Sequence, residues 1–438
     1  MPEFTRAPAR QFTEQSAEAP PPGALLLFQL RYTSSIMPKH VGVKLSWHER
    51  LLLLSFFFFA LASPIFFLFT NTFLWKESAS PTAMIMYNGG IYSGLIFGFI
   101  ANRTLLLRVS AHVLYRISCI LQGIVPLFLI GFAPRGTVNI VGLGLCFGFS
   151  AGLYFANRNF FTSLITQGKH RFAFLSLDQA LATVSGVCIP VVVGWYLTFA
   201  QTTQHIPTIT AYLHAAIFGF VLLFVSAIFF RVPDDVPQHT PRRVFVAHAS
   251  RRWNAVRLMD FIGGLAHGVF MTIPLVVALT VLSTEVSIGK LQSGATIIGA
   301  LSIYLVGKYR SKIPHGTLLG VWLLCSTIAG GLVAYVFSTW SVIISAILMG
   351  AVGPLYRTST AHLMYEAVDR ESNDDRASYL LDREIFLDGG RVIALIGCGY
   401  ALLFSFDFTL RYGYLCASVV NAALLIAALR VSRYLRTA

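Results

Sequence analysis

A few ionisable residues stand inside stretches that are otherwise apolar, and their spacing limits the chemistry open to them. Asp388 and Arg391 are three residues apart, so on a helix they share a face. Gly389 and Gly390 lie between them and allow close backbone approach or local unwinding. Ionisable groups at membrane depth are expensive, and each retained one is a functional candidate by default. The pair reads either as a substrate or coupling-ion site or as an intrahelical ion pair that neutralises itself. Asp260 and His267 are seven apart and again share a face. His267 belongs to the residue type that titrates near neutral pH, which suits proton coupling; the plainer reading is a neutral core histidine bonded to a backbone carbonyl. Asp260 has Arg257 nearby as a partner near the membrane surface. Asp382 and Glu384 fall within about two turns of the start of their stretch, where side chains reach water. Asp178 lies near Lys169 and Arg171, as a gate partner or as an exposed surface pair of little energetic weight.

These residues need elements to hold them. Twelve apolar segments are long enough to cross a bilayer, which takes roughly twenty helical residues. They lie near 49–75, 81–101, 107–132, 136–157, 173–200, 209–230, 254–282, 287–307, 316–337, 339–363, 378–405 and 409–431. Hydrophobic residues make up 55%, charged residues 12%, and mean hydropathy is +0.68, which excludes an ordinary soluble domain. With both termini placed in the cytoplasm, nearly all the 33 Lys and Arg fall in cytoplasmic segments. The opposite side keeps only Lys76, Arg135, Lys290 and Arg411. That asymmetry is the positive-inside signal and predicts a multi-pass protein of the cytoplasmic (inner) membrane. The net charge of +14 is spread over many loops instead of one patch, which argues against nucleic acid and for contact with anionic headgroups.

The chain repeats itself at an offset of about 205 residues. Gly94-x-x-x-Gly98-x-x-x-Asn102-Arg103 is echoed by Gly299 and Gly307-Lys308-Tyr309-Arg310; Leu177-Asp178 and Gly186 fall on Leu381-Asp382 and Gly390; Gly152 to Arg158 matches Gly353 to Arg357. The resulting organisation is a disordered cytoplasmic tail over 1–46, a six-helix bundle over 47–231, a cytoplasmic linker over 232–252 and a second six-helix bundle over 253–438. Met37 is an alternative start. The fold class is an all-α polytopic membrane protein with two pseudo-symmetric bundles, the arrangement of transporters whose halves rock about a midplane site.

The two bundles, the basic central loop and Gly98-x-x-x-Asn102-Arg103 resemble the major facilitator superfamily. In that family the loop after the second span takes part in a cytoplasmic gate, which makes Gly98, Asn102 and Arg103 gate candidates, with Asp178 beside them. Asn102 stands where the family carries an acid, and Thr104-Leu105-Leu106-Leu107 replace its glycine and basic residues, so the charge relay is incomplete here. The first, fourth, seventh and tenth helices of the family line a central cavity. The resemblance thus directs attention to Asn71, Tyr154, Arg158, His267, Tyr356 and Arg357. Arg158 and Arg357 hold corresponding places in the two halves, as receivers of an anionic substrate or as ordinary positive-inside anchors.

The expected function is secondary active transport of a small molecule by alternating access, with protons or another ion as coupling partner, by a monomer in the lipid bilayer. The alternatives are a lipid or lysolipid flippase of the same fold and a membrane-embedded enzyme acting on lipid-linked substrates. For the last, Glu366, Asp369, Glu371, Asp374 and Asp375 form an acidic cluster, but Ser372, Asn373 and Arg376 interrupt it in the manner of a solvated loop. No phosphate-binding Gly-x-x-x-x-Gly-Lys-Ser/Thr loop exists, so no nucleotide is expected. Six cysteines without Cys-x-x-Cys spacing give neither a disulfide framework nor a zinc site. No cofactor or metal is expected.

Overall fold

Backbone amides have no water to bind in hydrocarbon, so apolar runs of this length satisfy them within helices. The computed structural model describes residues 45–78, 81–132, 136–165, 168–231, 244–282, 284–309, 314–371 and 376–436. Among them, twelve helices are long and apolar enough to span a bilayer. They are α1 (Trp47–Ser78), α2 (Pro81–Leu105), α3 (Ala111–Phe132), α4 (Thr137–Ile165), α5 (Gly168–Thr202), α6 (Thr208–Phe229), α7 (Arg251–Val281), α8 (Glu285–Tyr309), α9 (His315–Val336), α10 (Thr339–Asp369), α11 (Arg376–Phe404) and α12 (Phe406–Arg436). The tail over 1–44 and the linker residues 232–243 lie outside the described residues. The outward side is apolar, with Phe128, Phe132, Trp195 and Leu324 among many exposed large side chains. A surface like that is stable in lipid and not in water. The chain is a multi-pass membrane protein.

Local signals account for the helix ends. Ser46 caps α1 in a reciprocal box with Glu49, its Oγ accepting from Glu49 N at 3.2 Å while Glu49 Oε2 accepts from Ser46 N at 2.6 Å. Ser250 caps α7 by accepting from Trp253 N at 3.0 Å. Within α1, Pro64 lacks an amide proton and crowds the preceding turn, and the helix loosens into a π turn over Ile65–Phe69. The face carrying the start of α1 and the end of α12 is termed the terminal face below.

Helices α1–α6 and α7–α12 form two halves. Within the first, α2 and α4 are in backbone contact: Gly90, Gly94 and Gly98 meet Gly144, Gly148 and Gly152, and a Cβ at any of them would strike a carbonyl of the partner helix. Small residues four apart allow this approach. In the second, Gly264, Gly268 and Gly390 bring α7 and α11 equally close. The halves touch each other through α5 with α8 and α2 with α11.

Candidate functional site

A cavity of about 660 Å³ lies between the halves. Its wall is mostly apolar and aromatic, the usual make-up of a small-molecule site. The π turn of α1 turns Phe67 and Leu68 to this space beside Pro64 and Asn71. Asn71 Nδ2 donates to Phe67 O at 2.7 Å, and Asn88 Nδ2 of α2 donates to Asn71 Oδ1 at 2.9 Å. Two amides are thereby fixed on the wall from the first half. The second half supplies His267 from α7, Trp322 from α9, and Tyr356 and Arg357 from α10. Trp322 stacks on Tyr356 with ring centroids 4.9 Å apart. The Trp322 Nε1 and His267 Nδ1 are buried without a hydrogen-bond partner among the described residues, so His267 does not make the backbone bond that a core histidine would be expected to make through that nitrogen.

The sequence-derived candidates divide into two groups. Asn71, Arg158, His267, Tyr356 and Arg357 line the cavity. Asp388, Arg391, Asp260, Glu384 and Tyr154 do not. Tyr154 is fully buried and stacked on Phe59 at 3.6 Å between centroids, inside the first half's aromatic core. Much of the Phe-rich part of α1 is in that core: Phe56, Phe59, Phe66, Phe69 and Phe73 are buried.

Behind the wall of the second half runs a band of charge. Asp388 is fully buried and accepts from Arg391 Nη1 at 2.5 Å, its Oδ2 having no hydrogen-bond partner among the described residues. The Arg391 guanidinium lies 5.1 Å from the ring centre of Tyr92 on α2. Tyr92 lines the cavity and meets His267 edge to face at 6.5 Å. One turn nearer the terminal face, Arg383 pairs with Glu384 at 2.5 Å and with Asp260 of α7 at 3.4 Å. Asp260 therefore faces Arg383, not the expected Arg257. No unwinding occurs at Gly389 and Gly390, because α11 is continuous and Gly390 serves instead to seat α7.

Arg257 is engaged elsewhere. Its Nε and Nη2 each donate to Asp382 at 2.7 Å, Trp253 Nε1 donates to the same carboxylate at 2.7 Å, and Val246 N lies at 3.3 Å. Asp382 is fully buried, where the sequence placed it near water. The residues before α7 fold over it, with Arg257 lying over the adjacent rings of Phe245 and Phe386. In the first half, Asp178 accepts from Arg158 Nη2 at 2.6 Å.

Of the gate candidates, Asn102 is buried and its Oδ1 accepts from Asn157 Nδ2 of α4 at 2.7 Å, so an amide pair joins α2 to α4 at this end. Gly98 sits in the α2–α4 seam, and Arg103 is in the last turn of α2.

Sequence reasoning passed over a polar cluster at the other face. Glu285, the first residue of α8, is 3% exposed. It forms an ion pair with Lys76 of α1 and accepts from Gln201 Nε2 of α5 at 3.1 Å and from Tyr212 OH of α6 at 3.0 Å. All three partners belong to the first half. Toward the membrane interior the same seam continues through Ser293 Oγ, which donates to Val187 O at 2.6 Å, and through Gly194 against the Glu285 carbonyl. The available signal is a rare acid and a rare base, Glu285 and Lys76, in two gaps on the same side. Asn88, a lone amide in an apolar run, was equally visible.

Two members of the acidic cluster are held in ion pairs. Glu366 takes Arg370 at 3.0 Å, and Glu371 takes Arg252 and Ser250 at 3.0 and 2.6 Å. Asp374 and Asp375 lie outside the described residues, and among those described no group of three potential ligands could hold a metal.

This architecture is the fold of the major facilitator superfamily. A solved nucleoside transporter, NupG, superposes with a TM-score of 0.65 at 15% identity, covering 89% of this chain and 100% of its own. The E. coli fucose:proton symporter FucP superposes with a TM-score of 0.56 at 13% identity, covering 87% and 98%. A curated Bacillus subtilis (strain 168) protein, the uncharacterized protein YqgE, is 22% identical over 335 residues, or 75% of this chain and 76% of that one. No protein-family model matches the sequence.

Proposed function

We propose that this chain is a secondary active transporter that carries a small molecule across the cytoplasmic membrane by alternating access, coupled to protons, with the terminal face in the cytoplasm. The observation that carries the reading is the cavity between two half-molecules, closed at one face by the Glu285 cluster and lined at the other end by an exposed Arg357. We take the cavity to open toward the terminal face, as in an inward-facing state. The basic residues of the loops set the orientation. The similarity to a nucleoside transporter and a fucose:proton symporter fits transport of a small solute. The engagement of Glu366 and Glu371 in ion pairs favours transport over a lipid-processing enzyme.

Asp388 is the proposed proton carrier. It is a buried carboxylate bonded to an arginine that also touches the opposite half through Tyr92. Around it stand Arg383, Glu384 and Arg391 of α11, Asp260 and His267 of α7, Tyr356 and Arg357 of α10, and Tyr92 of α2. Rocking of α2 against α11 moves Tyr92 relative to Arg391 and so changes the hold of Arg391 on Asp388. Ligand stabilisation across sugars, nucleosides, amino acids, drugs and lysolipids identifies a transported probe, because binding raises apparent stability by mass action. In proteoliposomes an imposed proton gradient then drives accumulation by the wild type. Asp388→Asn keeps exchange of the probe between equal pools and loses gradient-driven accumulation at least tenfold. Undiminished accumulation in Asp388→Asn removes Asp388 from the mechanism.

A further inference from the structure

We infer that the transported molecule, on the reading above, is an organic oxyanion with an apolar body, and that Arg357 binds its charged group. The inference rests on a contrast between the two arginines of the cavity wall, Arg158 from the first half and Arg357 from the second. Arg158 is held by Asp178 at 2.6 Å. Asp382, the acid that the repeat places opposite Asp178, is enclosed by Arg257, Trp253 and Val246. Arg357 is left on the cavity wall with no ion pair or hydrogen bond to its guanidinium among the described residues.

An orientation anchor would not lie where Arg357 does. It is twelve residues before the end of α10, about 18 Å inside that end at the helical rise. His362, Glu366 and Arg370 occupy the outer turns, with Glu366 pairing to both neighbours. An arginine inside the hydrocarbon thickness faces protein or a water-filled cavity and finds a counter-charge, and guanidinium groups match oxyanions through paired donors. The wall supplies none: no Asp or Glu is among the cavity-lining residues. It does supply further donors, the unpartnered Trp322 Nε1 and the second Nδ2 proton of Asn71, whose amide Asn88 holds in place. Phe56, Phe59, Phe67, Phe155 and Phe270 make much of the remaining wall aromatic, which suits an apolar or aromatic body, and the other arginine there, Arg158, is already paired with Asp178. The same chemistry describes a free aromatic carboxylate or phosphate and the headgroup of a single-chain anionic lipid.

The test uses purified full-length protein and three probes, 4-phenylbutyrate, phenyl phosphate and lysophosphatidic acid, each against a neutral counterpart (4-phenylbutyramide, phenol, monoacylglycerol). Apparent dissociation constants come from ligand-induced thermal stabilisation. At least one anion is expected to bind wild type tenfold or more tighter than its neutral counterpart. Arg357→Gln is expected to erase that difference, and Arg357→Lys to retain part of it. Arg411→Gln, on the far face and outside the cavity, leaves it intact. Selectivity for phenylbutyrate or phenyl phosphate identifies a free solute as the source of the anion, whereas selectivity confined to lysophosphatidic acid identifies a lipid headgroup. The inference is overturned if no anion outbinds its neutral counterpart tenfold, or if Arg357→Gln keeps the selectivity. A neutral nucleoside or sugar that binds and is transported equally by wild type and Arg357→Gln overturns it while leaving the transporter reading standing. Absence of flux for a probe that binds in the cavity strikes at transport itself and not at the anion site.

Discussion

The two buried carboxylates of α11 show how position on one helix leads to opposite uses. Asp382 has every lone pair direction addressed by a donor from Arg257, Trp253 or Val246, so it is a clamp that joins the connector and α7 to α11. Asp388 has one oxygen bonded and one without a partner among the described residues, the feature on which its proposed proton-carrying role rests. Removing one member of a buried pair strands the other charge, at a cost of about 3–5 kcal/mol, while replacing both by apolar residues of similar size is far milder. Asp382→Leu and Arg257→Met are each expected to lower stability by about that amount in thermal unfolding, and the double variant to be more stable than either single one. Equal losses in all three would show that the clamp has no coupling. The sequence located both acids but not their partners. Counting residues from the start of the helix put Asp382 near water, whereas Val246 and Phe245 fold back to cover it. Choice among several arginines is set by packing between residues more than a hundred positions apart, which no local pattern encodes.

At the scale of helices, far more was legible. Span number, order and approximate ends follow from apolar length, and the close α2–α4 seam follows from glycines four apart. What periodicity left open is which glycines face a neighbour. Gly148 lies against the Ile91 carbonyl, while Gly142 has nothing within 4 Å of where its Cβ would be. Gly148→Ala therefore forces two backbones apart, and overpacking of this kind costs about 1–3 kcal/mol or more. Gly142→Ala gains helix propensity, worth up to about 1 kcal/mol at an interior position. Thermal unfolding is expected to rank them Gly142→Ala, wild type, Gly148→Ala, and a Gly148→Ala protein as stable as wild type would mean that the seam opens readily. The cavity wall was half visible. Resemblance pointed to α1, α4, α7 and α10, giving Asn71, Arg158, His267, Tyr356 and Arg357; it passed over Asn88, Tyr92 and Trp322, which come from α2 and α9. Tyr154 failed all the same: α4 does line the cavity through Phe155 and Arg158, but Tyr154 points away into the aromatic core.

For the whole molecule, alternating access requires that each closed face be held by contacts that exist in one state only, since a transition is biased by differential interactions between states. The Glu285 cluster has that character. Its carboxylate belongs to the second half and its three donors to the first, so separating the halves at this face breaks every bond at once. The charge is also placed at the first turn of α8, where a helix favours an acid; Glu285 is thus comfortable on its own helix when the latch is open. Glu285→Gln keeps the volume and removes the charge that Lys76 and Tyr212 bind. A loss of one to two kcal/mol from the closed state would shift the ratio of states by roughly 5- to 30-fold. Spin labels at Ser78 and Lys290, in a background with the six cysteines replaced, report the separation of α1 and α8 at this face. The wild type is expected to give mainly the short distance, and Glu285→Gln and Lys76→Met to add a longer one, with Gln201→Ala intermediate because it removes a single neutral donor. An unaltered distance distribution in Glu285→Gln would assign the closure to the backbone contacts of α5 with α8 around Gly194 and Gly289 and leave the charged cluster without a gating role. If the longer distance does gain population, affinity for cavity ligands offered from the terminal face must fall by the same factor as the inward-facing state is depleted, because only the competent fraction binds.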